Sequence, residues 1–172
     1  YKDDPGEILT VQRIKEIEEQ FAYSAMLAKR AGMDAVTLHA CHGYLLAEFL
    51  SPAFNKRTDE YGGSFENRCR FLLETIACCR EKTGRDFPII VRYSADEYVR
   101  GGRTIEESVE LAKILEKNGV AAIDISASQP SAYLMTTPPY CLPQAECMLV
   151  PFSAAIKKAV RIPVFTAIGI RY

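Results

Sequence analysis

Asp34-Ala-Val-Thr-Leu-His-Ala-Cys-His-Gly-Tyr44 starts as a strand and ends in side chains that can do chemistry. Residues 34–40 are short, apolar and β-branched enough for a buried strand. Cys41, His42, Gly43 and Tyr44 then open a polar, glycine-containing loop that runs to Gly63. Loops of this length inside a compact domain are usually functional. His39 and His42 are three residues apart, which on an ideal strand puts them on opposite faces. Both reach one ligand only if the strand stops near Ala40 and the chain turns, and Gly43 suits that turn. The sequence therefore predicts a strand broken after Ala40.

Working outward, residues 10–32 predict a helix. Thr10 caps it, Ile14, Ile17, Phe21, Ala25 and Ala28 make its apolar stripe, and Gly32 ends it. Downstream, Ser64 caps a helix with Phe65, Cys69, Leu72, Ile76 and Cys79 on one side, stopping at Gly84. Residues 88–94 form a second strand. Thr104-Ile-Glu-Glu107 reads as a capping box opening a helix that closes at Gly119. Residues 121–126 form a third strand. A less regular stretch rich in Pro, Ser and Tyr runs from Ser128 to Glu146, and a helix over 151–160 leads into a fourth strand over 163–168.

Strands alternating with helices imply an α/β fold with a parallel sheet. No G-x-G-x-x-G follows the first strand, so a dinucleotide-binding doubly wound sheet lacks its best marker. Polar residues gather instead at the carboxyl ends of the four strands, as His39, Arg92, Ser126 and Gly169. That is where a (β/α)8 TIM barrel carries its active site. A full barrel has eight strands and ~250 residues, so 172 residues with four strands predict a partial barrel. The expectation is one domain over 1–172, truncated at both ends; Tyr1 rather than Met stands first.

Composition narrows the function classes. A formal net charge of -1 and a pI near 6.2 give no electrostatic footprint for nucleic acid or an anionic membrane. No apolar run reaches the ~18 residues of a membrane span, and no signal-peptide pattern opens the chain. The six cysteines, Cys41, Cys69, Cys78, Cys79, Cys141 and Cys147, include no C-x-x-C pair. That spacing suits neither a disulfide framework nor a zinc site, and a reducing cytoplasm is the natural reading. His-x-x-His is a metal-ligand spacing, but no carboxylate or third His stands where the rest of such a site belongs, so no metal is expected. A lone strand-end His is more often structural; Arg92 and Gly169 at neighbouring strand ends shift the balance toward a site.

Three stretches carry a family resemblance: AGMDAVTLHACHGYLLAEFLSPAFNKRTDEYGGSFENRCRF, FPIIVRYSADEYVRGGRTIEESVELAKILEKNGVAAIDIS and IPVFTAIG. In order and spacing, from Thr10 to Arg171, the chain resembles the old yellow enzyme family of NAD(P)H:flavin oxidoreductases. EYVRGGRTIEES and the two-histidine motif are most similar to its 2-enoate and 2,4-dienoyl-CoA reductase branch. The resemblance implies FMN as cofactor, NADH or NADPH as electron donor, and reduction of the activated C=C bond of a small α,β-unsaturated carbonyl or enoyl substrate. It implies that His39 and His42 hydrogen-bond the substrate carbonyl oxygen and that Tyr44 gives a proton to the α-carbon. It places Arg92 beside the flavin N1/O2 edge, with His39 also near the cofactor, and Gly169 at the FMN phosphate. Cys41 departs from the pattern, because a small residue, often alanine, is common there. The branch also implies a 4Fe-4S cluster and FAD in a longer parent, one expectation for which is a homo-oligomer. The cysteines here lack cluster-ligand spacing, so any cluster lies beyond Tyr172.

Physical chemistry fits these roles. Hydride delivery to the β-carbon builds negative charge on the carbonyl oxygen, and one preorganised donor there is typically worth ~3 kcal/mol. A phenol, with an ordinary pKa of about 10, keeps its proton at neutral pH until it is needed. Arginine stays charged when buried and so favours an anionic reduced flavin. Amine dehydrogenation is a rival within the family, though that branch tends to carry tyrosine at the position of His39. A flavin-binding fragment without turnover and an unrelated barrel enzyme for a phosphate-bearing substrate are the others. Arg57, Asp59, Glu60 and Tyr61 can pair among themselves or touch a neighbouring subunit; the expected reading is a loop pinned to the Ser64 helix, with Asn67 and Arg68 in the same scaffold. Ser126 and Ser128 are weak pocket candidates, and Tyr133 and Tyr140 are candidate gates.

Overall fold

A computed structural model describes residues 8–127, 147–167 and 170. The elements run α1 (Val11–Arg30), β1 (Val36–Ala40), α2 (Leu45–Leu50), α3 (Phe65–Thr83), β2 (Ile89–Ser94), α4 (Ile105–Lys117), β3 (Ala122–Ser126), α5 (Val150–Ala159) and β4 (Val164–Thr166). The four strands form one parallel sheet in the order β1-β2-β3-β4. Sequential parallel strands joined by helices are the repeat from which a (β/α)8 barrel is built, and this chain carries part of one. Among the described residues no helix is long and apolar enough to cross a membrane.

Side-chain capping fixes where α1 and α3 begin. Thr10 Oγ1 accepts the Arg13 amide at 3.1 Å, and Ser64 Oγ accepts that of Asn67 at 3.2 Å. Lys29 and Arg30 sit in the last turn of α1, where cations offset the helix dipole. Thr104 behaves differently from the expected capping box. It is the N-cap of α4, but its side chain makes no capping bond, and Glu107 turns away to Arg68 at 2.7 Å. The second departure is α2, a six-residue helix inside the segment expected to be loop. Leu46, Ala47, Phe49 and Leu50 are buried there, so packing against the core sets its conformation.

The rest of that loop is pinned as expected. Asn55 donates to the Phe49 and Tyr61 carbonyls, Asn67 to that of Gly62, and Tyr61 Oη to Glu74 on α3. Gly62 must lack a side chain, because a Cβ there would clash with the Arg57 carbonyl oxygen.

Register decides which side of the sheet does what. The rows Leu38–Val91–Ile123–Val164 and Ala40–Tyr93–Ile125–Thr166 lie on one face. This face meets the helices: Tyr93 Oη donates to the Ser108 carbonyl on α4, and Leu38, Val91, Ile123 and Ile125 join Leu72, Ile76 and Leu111 in the core. The opposite face carries the row His39–Arg92–Asp124–Phe165, with Ser94 and Ser126 one step nearer the strand ends.

Candidate active site

The strand break expected after Ala40 is present. β1 ends at Ala40, and His42 (φ 59°) and Gly43 (φ 71°) both take left-handed backbone. Glycine adopts this freely; histidine does so less often, and such strain persists only where surrounding contacts hold it. Those contacts are visible. The His42 amide donates to Ser94 Oγ at 3.4 Å, and its Nε2 lies 2.6 Å from Ser126 Oγ. Two strands away, Ser126 thus fixes the ring. Tyr44 follows as the N-cap of α2 and is 62% exposed, with its ring 5.3 Å from that of His39. The two imidazoles are 5.4 Å apart between centroids.

Arg92 is the register partner of His39 on one side and Asp124 on the other. Its Nε lies 3.5 Å from Asp124 Oδ2, an ion pair without a hydrogen bond, so among the described residues this buried nitrogen keeps an unused donor. Thr166 Oγ1, at the end of β4, is also buried without a partner among the described residues.

Electrostatics keep both histidines neutral near pH 7. Burial first, then the Arg92 cation, holds His39 below the ordinary imidazole range, with Asp124 partly opposing. Burial, Arg92 and His39 do the same to His42. Cys41 is fully buried, and burial pushes its thiol up to about 12. It nevertheless sits between the rings, with Sγ 3.5 Å from His39 Nε2 and 3.6 Å from His42 Nδ1.

The structure therefore brings His39, His42, Tyr44 and Arg92 to one end of the sheet. Gly169, Ser128, Tyr133, Tyr140 and Cys141 lie outside the described residues. Sequence reasoning missed Asp124, although Val-Arg-Tyr-Ser and Ile-Asp-Ile-Ser end alike and aligning them pairs Arg92 with Asp124. It undervalued Ser126, and it treated Cys41 as packing without counting its sulfur among the donors.

Parallel strands, an outer layer of helices and a polar row at the carboxyl ends define a segment of a (β/α)8 barrel. More narrowly, residues 4–165 match the NADH:flavin oxidoreductase / NADH oxidase family, and the chain belongs to it. It is 44% identical over 163 residues to an NADH oxidase of Thermoanaerobacter brockii, covering 95% of this chain and 25% of that protein. It is 37% identical over 174 residues to a cinnamate reductase of Clostridium sporogenes, covering 92% of this chain and 26% of that protein. Among solved structures, a 2-naphthoyl-CoA reductase in complex with 2-naphthoyl-CoA superposes with a TM-score of 0.88 at 30% identity, over 96% of this chain and 25% of that one. The chain thus spans about a quarter of the length of these relatives.

Proposed function

We propose that the protein containing this chain is an FMN-dependent oxidoreductase that reduces the activated C=C bond of an α,β-unsaturated carbonyl or enoyl compound, with NADH or NADPH as electron donor. The observation that carries this reading is the convergence of two imidazoles, one exposed phenol and an arginine with a spare donor among the described residues at one sheet end. The names of the cinnamate reductase and the 2-naphthoyl-CoA complex favour the unsaturated acid or thioester class.

The residues present suit a flavin. Arg92 Nε is a buried donor without a hydrogen-bond partner among the described residues, and a leftover donor of this kind is costly unless something fills it. Arg92 and Gly169 would hold FMN, with His39 beside it. FMN when bound supplies the hydride. With Ser126 Oγ–H donating to His42 Nε2, Nδ1–H is the donor left to the ring for the substrate oxygen. His39 supplies the second donor. Because both rings are held neutral, they stabilise developing charge by hydrogen bonding and keep their own protons. Tyr44 Oη delivers the proton to the α-carbon. The same reading takes residues 1–172 as one partial FMN-binding domain of a cytoplasmic protein, with any 4Fe-4S cluster and FAD carried elsewhere in the whole protein.

Stopped-flow measurement of the two half-reactions in the whole, FMN-loaded protein tests it. Tyr44→Phe is expected to slow reduction of the unsaturated substrate by about 10²- to 10⁴-fold, the usual worth of a general acid, and to leave flavin reduction by NAD(P)H nearly unchanged. Equal losses in both half-reactions contradict the proton-donor role. A whole protein that takes up no flavin contradicts the reading altogether.

A further inference from the structure

We infer that His39, Cys41 and His42 form a binding site for a thiophilic divalent cation of the zinc class. One donor atom from each residue lies within 4.8 Å of the others. In a tetrahedral zinc site, Zn–S bonds of ~2.3 Å and Zn–N bonds of ~2.0–2.1 Å put sulfur about 3.5 Å from nitrogen. Cys41 Sγ is already 3.5 Å from His39 Nε2 and 3.6 Å from His42 Nδ1. Only the edge between the two nitrogens has to close, and His39 is exposed enough to turn.

A second, independent observation is the Ser126 contact. A metal-bound imidazole almost always has its other ring nitrogen held by an oxygen partner, which fixes the tautomer and the ring. Ser126 Oγ stands 2.6 Å from His42 Nε2, so Nε2–H can donate to it and Nδ1 turns its lone pair toward Cys41. Charge also permits the ion. Asp124, at 3.5 Å, offsets the Arg92 cation in part, and Cys41 contributes a negative charge on binding. Its S–H bond breaks, the proton passes to buffer and the thiolate donates an electron pair to the cation. Three protein ligands leave the fourth position for water, as in open zinc sites. The ion would occupy the space that both imidazoles address, so zinc should exclude a substrate carbonyl. That inhibition rests on the proposed reaction; the binding site does not.

Calorimetric titration of Zn²⁺ into the whole, FMN-loaded protein is the test, with Cys41→Ala and Cys41→Ser beside it and folding checked by circular dichroism. One tight zinc per chain is expected, weakened more than about 100-fold by either cysteine variant and about 10- to 100-fold by Ser126→Ala. Zinc-edge absorption should show one sulfur and two imidazole nitrogens. Equal zinc binding by the wild type and the two cysteine variants, or a shell without sulfur, overturns the site. Zinc should also raise the KM for the unsaturated substrate in the wild type and not in Cys41→Ala. Cysteine-dependent zinc binding in a protein that reduces no C=C bond would uphold the site and overturn the proposed reaction.

Discussion

At His42 the position of one proton decides what the ring can offer. With Ser126 donating to Nε2, Nδ1–H is a donor for an oxyanion; with Nε2–H donating to Ser126, Nδ1 is a lone pair for a cation. Both uses need a neutral ring, and the surroundings ensure it. Burial, aided by Arg92, depresses His39 and His42 below the unfolded value of about 6.5. Above that pH both rings are neutral in folded and unfolded chains alike. As pH falls through it, the unfolded chain takes up protons first, so stability drops until the folded rings protonate. His42 should dominate, since His39 is more exposed and its charge better screened. Thermal melts from pH 8 to 5 are expected to show a smaller acid-side loss in His42→Gln than in the wild type. An unchanged slope would contradict the depressed titration. At this scale the histidines, the tyrosine and the arginine could be read from residue type and spacing. Ser126 could not, because a serine gains its meaning only when the sheet sets it opposite a ring two strands away.

At the scale of elements, Arg68 ties α2, α3 and α4 together. Its Nε donates to the Leu50 carbonyl, Nη1 to that of Gly63, and Nη2 to both Glu107 oxygens at 2.7 and 2.9 Å. The side chain is almost fully buried, while that of Glu107 is about one-third exposed. Arg68→Met strands two carbonyls and a carboxylate and is expected to cost about 3 kcal/mol in urea unfolding. Glu107→Gln keeps an acceptor at a partly solvated site and should cost under about 1 kcal/mol. Equal losses would mean that the ion pair, and not the carbonyl contacts, is what Arg68 provides. This staple also explains two misreadings of the sequence. Glu107 has the spacing of a capping-box residue, but a buried arginine outcompetes the Thr104 amide for it. Leu45–Leu50 is too short to declare a helix by periodicity, and its fold depends on the core beneath it and on Arg68 at its end. The long helices and all four strands were legible because caps, stripes and β-branched runs are local signals. Contacts between elements were not.

At the scale of the molecule, the described residues cover the sheet on one face only. Helices cover the Leu38, Val91 and Ile123 side, whereas the His39–Arg92–Asp124–Phe165 side is partly open and Phe165 is 50% exposed. Parallel sheets are almost always covered on both faces, because parallel ladders are stabilised by burial. A barrel achieves this by filling its interior with side chains from every strand, and it also removes strand edges. Here β1 and β4 each have one edge unpaired among the described residues. The chemistry and the missing cover therefore share one face. The residues proposed to hold flavin and substrate are those that lie inside a closed barrel, near its mouth. Produced alone, these 172 residues are expected to bind a hydrophobic dye, to self-associate in size-exclusion chromatography and to retain FMN far less well than the whole protein. The whole protein, measured beside them, should bind FMN and little dye. A monodisperse, dye-negative 172-residue monomer would mean that the open face is stable in water, and the barrel-interior assignment of His39 and Arg92 would fail with it.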